Sequence, residues 1–319
     1  MVSFYILYCY LCIINTLYIK QIGMDNIKKS SISKSRSYTA CLSEAHRMLF
    51  DNFRVIFSRT WIYFAALAVI SAVCFMLYTH TMLYGNSTGQ TVAMCGFSLL
   101  MLCSVVVYYS RVMFLVNGRP MKWNIIRGFR LAACYYAFCI LVWGAQAFIT
   151  YNYVLIHQPV SPEALMPLAI AFNVANIVIG LLMLPYVYAA VKYFIEPESK
   201  LRHILTSSYA TGLRHWGFMF MAMLPAVLCV LLIALFLSIP MLIVITANSY
   251  SVFGVNFIGD PTGLPSYFPV IEGSVFALTF FIWAYLNVFV IFVGYFLYGS
   301  IEARKKEKKA FLKQEQLTA

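Results

Sequence analysis

Chemistry needs charged, nucleophilic or metal-ligating side chains brought close together, and this sequence spaces few of them for it. The histidines are His46, His80, His157, His203 and His215, and they make no metal-spaced set with one another or with cysteine. Cys9 and Cys12 have a redox-type C-x-x-C spacing, but they lie in an apolar stretch with no partner motif, so the spacing reads as coincidence. No HExxH, GxSxG or phosphate-loop motif occurs. No catalytic residue, metal or cofactor is expected, and the chain is read as a non-enzyme. The polar residues that remain in apolar surroundings are carboxamides: Asn173 and Asn176, three apart on one helical face with Gly180 four further on, and Gln146 and Asn287. The plain role for such amides is hydrogen bonding between helices, worth about 0.6 kcal/mol on average. A sharper role is a polar patch lining a substrate path, completed by carbonyls freed at Pro185 and Pro225. Asp260 and Glu272 are the acidic residues that a cation could meet, and the sequence places both in a solvated loop.

The elements that must position these residues are set by composition. Of 319 residues, 62% are hydrophobic and 11% charged. A soluble domain carries about 45–50% apolar and about 25% charged residues. A globular core needs a polar surface around it, so lipid must cover the excess here. The apolar stretches are continuous rather than alternating, which excludes a β-barrel. The expected fold is all-α, a polytopic transmembrane helical bundle of six spans, or seven if residues 1–23 form a real span. The spans are placed at Trp61–Met82, Thr91–Ser110, Leu131–Asn152, Leu165–Val191, Trp216–Thr246 and Gly273–Tyr298. Span 5 is longer than a bilayer needs, so kinks are expected at Pro225 and Pro240.

Charge sets the expected topology. The net charge is +12, yet the basic residues flank apolar spans instead of clustering on a soluble domain, so nucleic acid is not an expected partner. All 23 lysines and arginines fall before span 1, between spans 2 and 3, between spans 4 and 5, or after span 6. By the positive-inside rule that side is cytoplasmic, with both the N-terminus, counted from Met24, and the C-terminus inside. Residues 1–23 lack the basic start and small-residue cleavage site of a signal peptide, and translation from Met24 is the favoured reading. Residues 24–37 read as a disordered basic arm.

Three segments on the basic side have the two-sided pattern of interfacial helices: Ser43–Trp61, Met121–Arg130 and Lys200–His215. Arg47, Arg59 and Trp61 in the first match Arg202, Arg214 and Trp216 in the third, and these six are the expected interfacial anchors. The 38–299 membrane domain thus divides into helix-hairpin units at 38–110, 111–193 and 194–299, followed by a basic cytoplasmic tail, 300–319. In that tail Lys305, Lys306, Lys308 and Lys309 are candidate contacts for anionic lipid, at about 1 kcal/mol per charge.

The layout, with pieces such as AHRMLFDNFRVIFSRTW from Ala45 to Trp61, resembles uncharacterised six-span bacterial inner-membrane proteins with interfacial amphipathic helices. It is similar to the membrane domain fused to some bacterial glycerophosphodiester phosphodiesterases, over roughly residues 38–300. The resemblance implies an inner-membrane location. It implies no catalytic residue, because no phosphodiesterase domain is present. The expected function is structural or regulatory, through membrane lipids, a protein partner or a second copy. The alternative is a transporter or channel for a neutral or lipidic substrate, using the patch in spans 3, 4 and 6.

Overall fold

The computed structural model describes residues 34–85, 87–156, 162–259 and 263–318. The readings made of residues 1–23, Met24, Cys9, Cys12, His157 and Asp260 lie outside the described residues. Every element described is helical: α1 Tyr38–Asp51, α2 Phe53–Tyr84, α3 Thr88–Asn117, α4 Met121–Ile156, α5 Pro162–Leu182, α6 Leu184–Ile195, α7 Leu201–His203, α8 Tyr209–Arg214, α9 Trp216–Leu237, α10 Ile239–Phe253 and α11 Phe268–Thr318. Two π-helical turns intervene, Ile204–Ser208 between α7 and α8 and Gly254–Ile258 after α10. Six helical segments are long and apolar enough to cross a membrane: Phe53–Tyr84, Thr88–Asn117, Met121–Ile156, Leu165–Ile195, Trp216–Leu237 and Phe268–Gln316. The chain is an all-α, multi-pass membrane protein, with six spans among the described residues.

Local chemistry sets the helix ends. Ser37 caps α1 by accepting from the Ala40 N–H. Ser87 and Gln90 form a reciprocal capping box at the start of α3. At the end of α3 the chain reverses through Gly118, whose φ of +66° is open to glycine at little cost.

The central post is α11, on which α1, α2, α6, α9 and α10 all pack. Its buried Val288, Phe292, Phe296 and Ile301 meet Ile56 and Phe64 of α2, Tyr108 of α3, Tyr188 of α6 and Met219 of α9. This core sits toward the basic end of the bundle. At the other end, called here the far end, packing thins. Beyond Leu131 no residue of α4 is buried, and neither is any described side chain of α5, Leu165–Leu182.

Several expected boundaries move. The first amphipathic segment is not one helix from Ser43 to Trp61. It breaks at Asn52, whose Nδ2 donates to Met48 O at 3.0 Å, and Phe53 already begins the first span. The face of α1 carrying Cys41, Ala45, Met48 and Leu49 is docked on protein. Met121–Arg130 is not a separate helix but the first turns of the 36-residue α4. In the third segment, Glu196-Pro197-Glu198-Ser199 closes α6 as a turn, and helix resumes only at Leu201. Span 4 breaks at Met183, ahead of Pro185. Span 5 breaks at Ser238, with Pro240 in the first turn of α10, while α9 runs unbroken through Pro225. The long loop expected over Ala247–Glu272 is helical to Ile258, and Glu272 belongs to α11. The tail is no coil: α11 carries it to Thr318.

Candidate functional site

At the basic end, buried and half-buried charges tie the elements together. Arg127, 8% exposed, reaches across from α4 to the chain leaving α6. Its guanidinium donates to the carbonyls of Tyr193, Glu196 and Pro197 and to Ser199 Oγ, and it stacks on the rings of Trp123 and Tyr193. It therefore supplies the donors that a helix C-terminus lacks. Beside it, Asn117 and Asn124 bond to each other at 2.8 Å, and Asn117 Nδ2 donates to Phe194 O at 3.0 Å. Arg111, 3% exposed, donates from Nε to Arg59 O at 2.9 Å and lies over Tyr63 and Phe114. Between α6 and α11, Tyr188 OH donates to Glu302 Oε1, Lys305 Nζ donates to both at 3.0 Å, and Tyr298 OH donates to Glu196 Oε1 at 2.9 Å.

The end of the expected disordered arm is fixed here as well. The Arg36 N–H donates to Ser300 Oγ at 3.0 Å, and Ser300 and Arg304 both donate to Arg36 O. Next to it, burial pushes the Cys41 thiol up to about 11, against the opposing pull of Arg36 and Arg304. Burial, helped by Lys305 and Arg304, holds His215 below the usual histidine range.

The expected anchors and lipid contacts fall in several places. Arg47 is exposed and pairs with Asp51 at 3.3 Å. Arg202 and Arg214 are exposed, Arg59 is half-buried, and Trp61 is 47% exposed. Trp216 is not a free headgroup marker, because its indole N–H donates to Leu181 O at 2.9 Å. Of the tail lysines, Lys305 is engaged with Glu302 and Tyr188, while Lys306, Lys308 and Lys309 are exposed.

The four carboxamides do not converge. Gln146 Nε2 donates to Asn176 Oδ1 at 2.9 Å, which clasps α4 to α5. Asn173 and Asn287 donate back to carbonyls on their own helices, Ala169 O and Trp283 O. Asn173, Asn176 and Asn287 are exposed and Gln146 is half-exposed, so the set faces outward. The carbonyls freed at Pro185 do not join it. Leu181 O, whose usual partner four residues on would be the N–H that Pro185 lacks, accepts from Trp216, and Leu182 O accepts from Tyr209 OH at 2.8 Å.

Two cavities stand out. One, of about 410 Å³, opens between α3, α4 and α6 and is walled by apolar side chains and by Tyr109, Tyr135, Tyr136 and Tyr186. The other, about 700 Å³, lies at the far end between α2, α3, α10 and α11. Its rim carries His80, whose Nδ1 accepts from Gln90 Nε2 at 2.7 Å. Deeper stands Glu272, 6% exposed, not in a solvated loop as its neighbourhood in the chain suggests. The side chain of Asn248 stands beside its carboxyl. Thr79 stands beside it but gives its proton to Met76 O at 3.0 Å. Glu272 Oε1 has no hydrogen-bond partner among the described residues. Its burial was hidden in the sequence by nearby turn residues, Gly263 and Pro265, which read as loop.

No known protein family, curated protein or solved structure matches this chain.

Proposed function

We propose that this chain is a non-catalytic inner-membrane protein of structural or regulatory type, acting through contacts that the α4–α5 hairpin makes with a helical protein partner in the bilayer. The first partner to test is a second copy. The observation that carries this reading is the outward amide patch: Asn173 and Asn176 stand exposed on a helix with no buried described side chain. Each makes one bond within the chain, from Gln146 to Asn176 and from Asn173 to Ala169 O, and each carries a second polar atom, to which lipid tails offer no hydrogen bond and a neighbouring helix does. The basic end faces the cytoplasm, and Lys306, Lys308 and Lys309 add attraction to anionic lipid there. The path reading is weaker support for function, because the four amides do not line one space.

Energy transfer between donor- and acceptor-labelled protein, diluted with lipid in vesicles, tests this. The wild type should show transfer above the random level. Replacing Asn173 with Leu, which leaves the Gln146–Asn176 bond in place, should weaken association by about threefold, since an interhelical amide bond is worth about 0.6 kcal/mol. Transfer at the random level for the wild type, with no partner recovered by cross-linking in the native membrane, rejects the reading in favour of lipid contact alone.

A further inference from the structure

The far-end cavity holds one strong acceptor that the fold leaves unsatisfied. Glu272 lines it, is nine-tenths buried, and has an Oε1 with no hydrogen-bond partner among the described residues. A buried carboxyl oxygen without a donor is costly, more so when charged. No lysine or arginine stands among the described residues lining the cavity, and His80 at the rim, held by Gln90, is the one cationisable side chain among them. The rest of the wall is largely apolar, with Met76 and Leu77 from α2, Val252 from α10 and Phe268 from α11. At about 700 Å³ the space is within the range of about 300–1,000 Å³ typical of small-molecule sites, and far larger than a bare ion needs. The described residues also hold no cluster of three metal-ligating side chains, and among those lining this wall His80 and Glu272 are the only such groups.

One acidic acceptor in an apolar cavity is complemented by one cationic donor on an apolar body. We propose that this cavity binds an organic ammonium ion carrying an alkyl or aryl group, with Glu272 as its anionic partner. The ammonium N–H gives Oε1 its missing donor and the counter-charge together, and the apolar body covers the Met76, Val252 and Phe268 walls. The site is independent of the hairpin contacts proposed above, since it lies on other helices.

The test is isothermal titration of the purified full chain in detergent with three ligands of like shape: phenethylammonium chloride, phenethyl alcohol and sodium hydrocinnamate. The ammonium should bind at least about tenfold more tightly than the alcohol, and the carboxylate should not bind. Glu272→Gln keeps the shape and removes the charge, and it should bring ammonium binding down to that of the alcohol. In case that variant folds poorly, Leu264→Trp fills the cavity from its edge without touching Glu272, and it should also abolish binding. Equal binding of ammonium and alcohol to the wild type would overturn the proposal. So would ammonium binding that survives both substitutions, or stabilisation by calcium chloride where phenethylammonium gives none.

Discussion

At the scale of single residues, the polar side chains that matter most in this protein close backbone gaps. Trp216 takes the carbonyl that Pro185 orphans, and Arg127 takes three carbonyls around the end of α6. Hydrogen bonds to a charged donor contribute about 1.5–3 kcal/mol each, and a buried acceptor left without one costs about as much. Arg127→Met keeps the length and the apolar stem but removes every donor. It should destabilise the protein by at least about 2 kcal/mol, read as a clear fall in the thermal unfolding midpoint in detergent. Arg127→Lys should recover only part of this, because an ammonium cannot fan its donors over Tyr193, Glu196, Pro197 and Ser199 as a guanidinium does. An unchanged midpoint for the Met variant would mean that water already serves these carbonyls.

At the scale of elements, the basic-side segments that look like free interfacial helices are partly built into the bundle. The Cys41–Ala45–Met48–Leu49 face of α1 is covered by protein, and α8 lies tightly on α6. The contact between α8 and α6 leaves no room for a side chain: a Cβ on Gly212 would stand 3.0 Å from Pro185 Cα and Pro185 O. Backbone cannot yield as a flexible side chain can. Gly212→Ala should therefore cost about 1–3 kcal/mol, by pushing α8 off α6. Gly217, in α9, has nothing within 4 Å of such a Cβ. There the same substitution should be neutral or stabilising by up to about 1 kcal/mol, since alanine favours helix over glycine. Paired melting curves of the two variants check this, and equal losses would show that the α6–α8 contact is not tight in the membrane.

At the scale of the whole molecule, the bundle is tight at one end and open at the other. The buried arginines and the larger core cluster lie toward the basic end, while α4 and α5 stand apart toward the far end. The orientation expected from charge keeps the basic connectors inside, because moving them across a bilayer is disfavoured. Reporter fusions at Gly118 and Ser199 should register as cytoplasmic, and fusions at Gly85 and Gly263 as external. A cytoplasmic signal at Gly263 would reverse α10 and α11, and would place the Glu272 cavity on the other side. Composition and hydropathy alone determined the class of this protein, the six spans of its described residues and the segregation of its basic residues, because lipid exposure is a property of whole apolar stretches and is additive along the chain. They did not determine where Arg127, Trp216, Glu272 or the four amides would point. A polar residue near a span end reads the same whether it meets water, a headgroup or an orphaned carbonyl on a helix far away in sequence. That choice depends on which helix packs beside it, so only the tertiary structure could bury Glu272 and turn Asn173 and Asn176 outward.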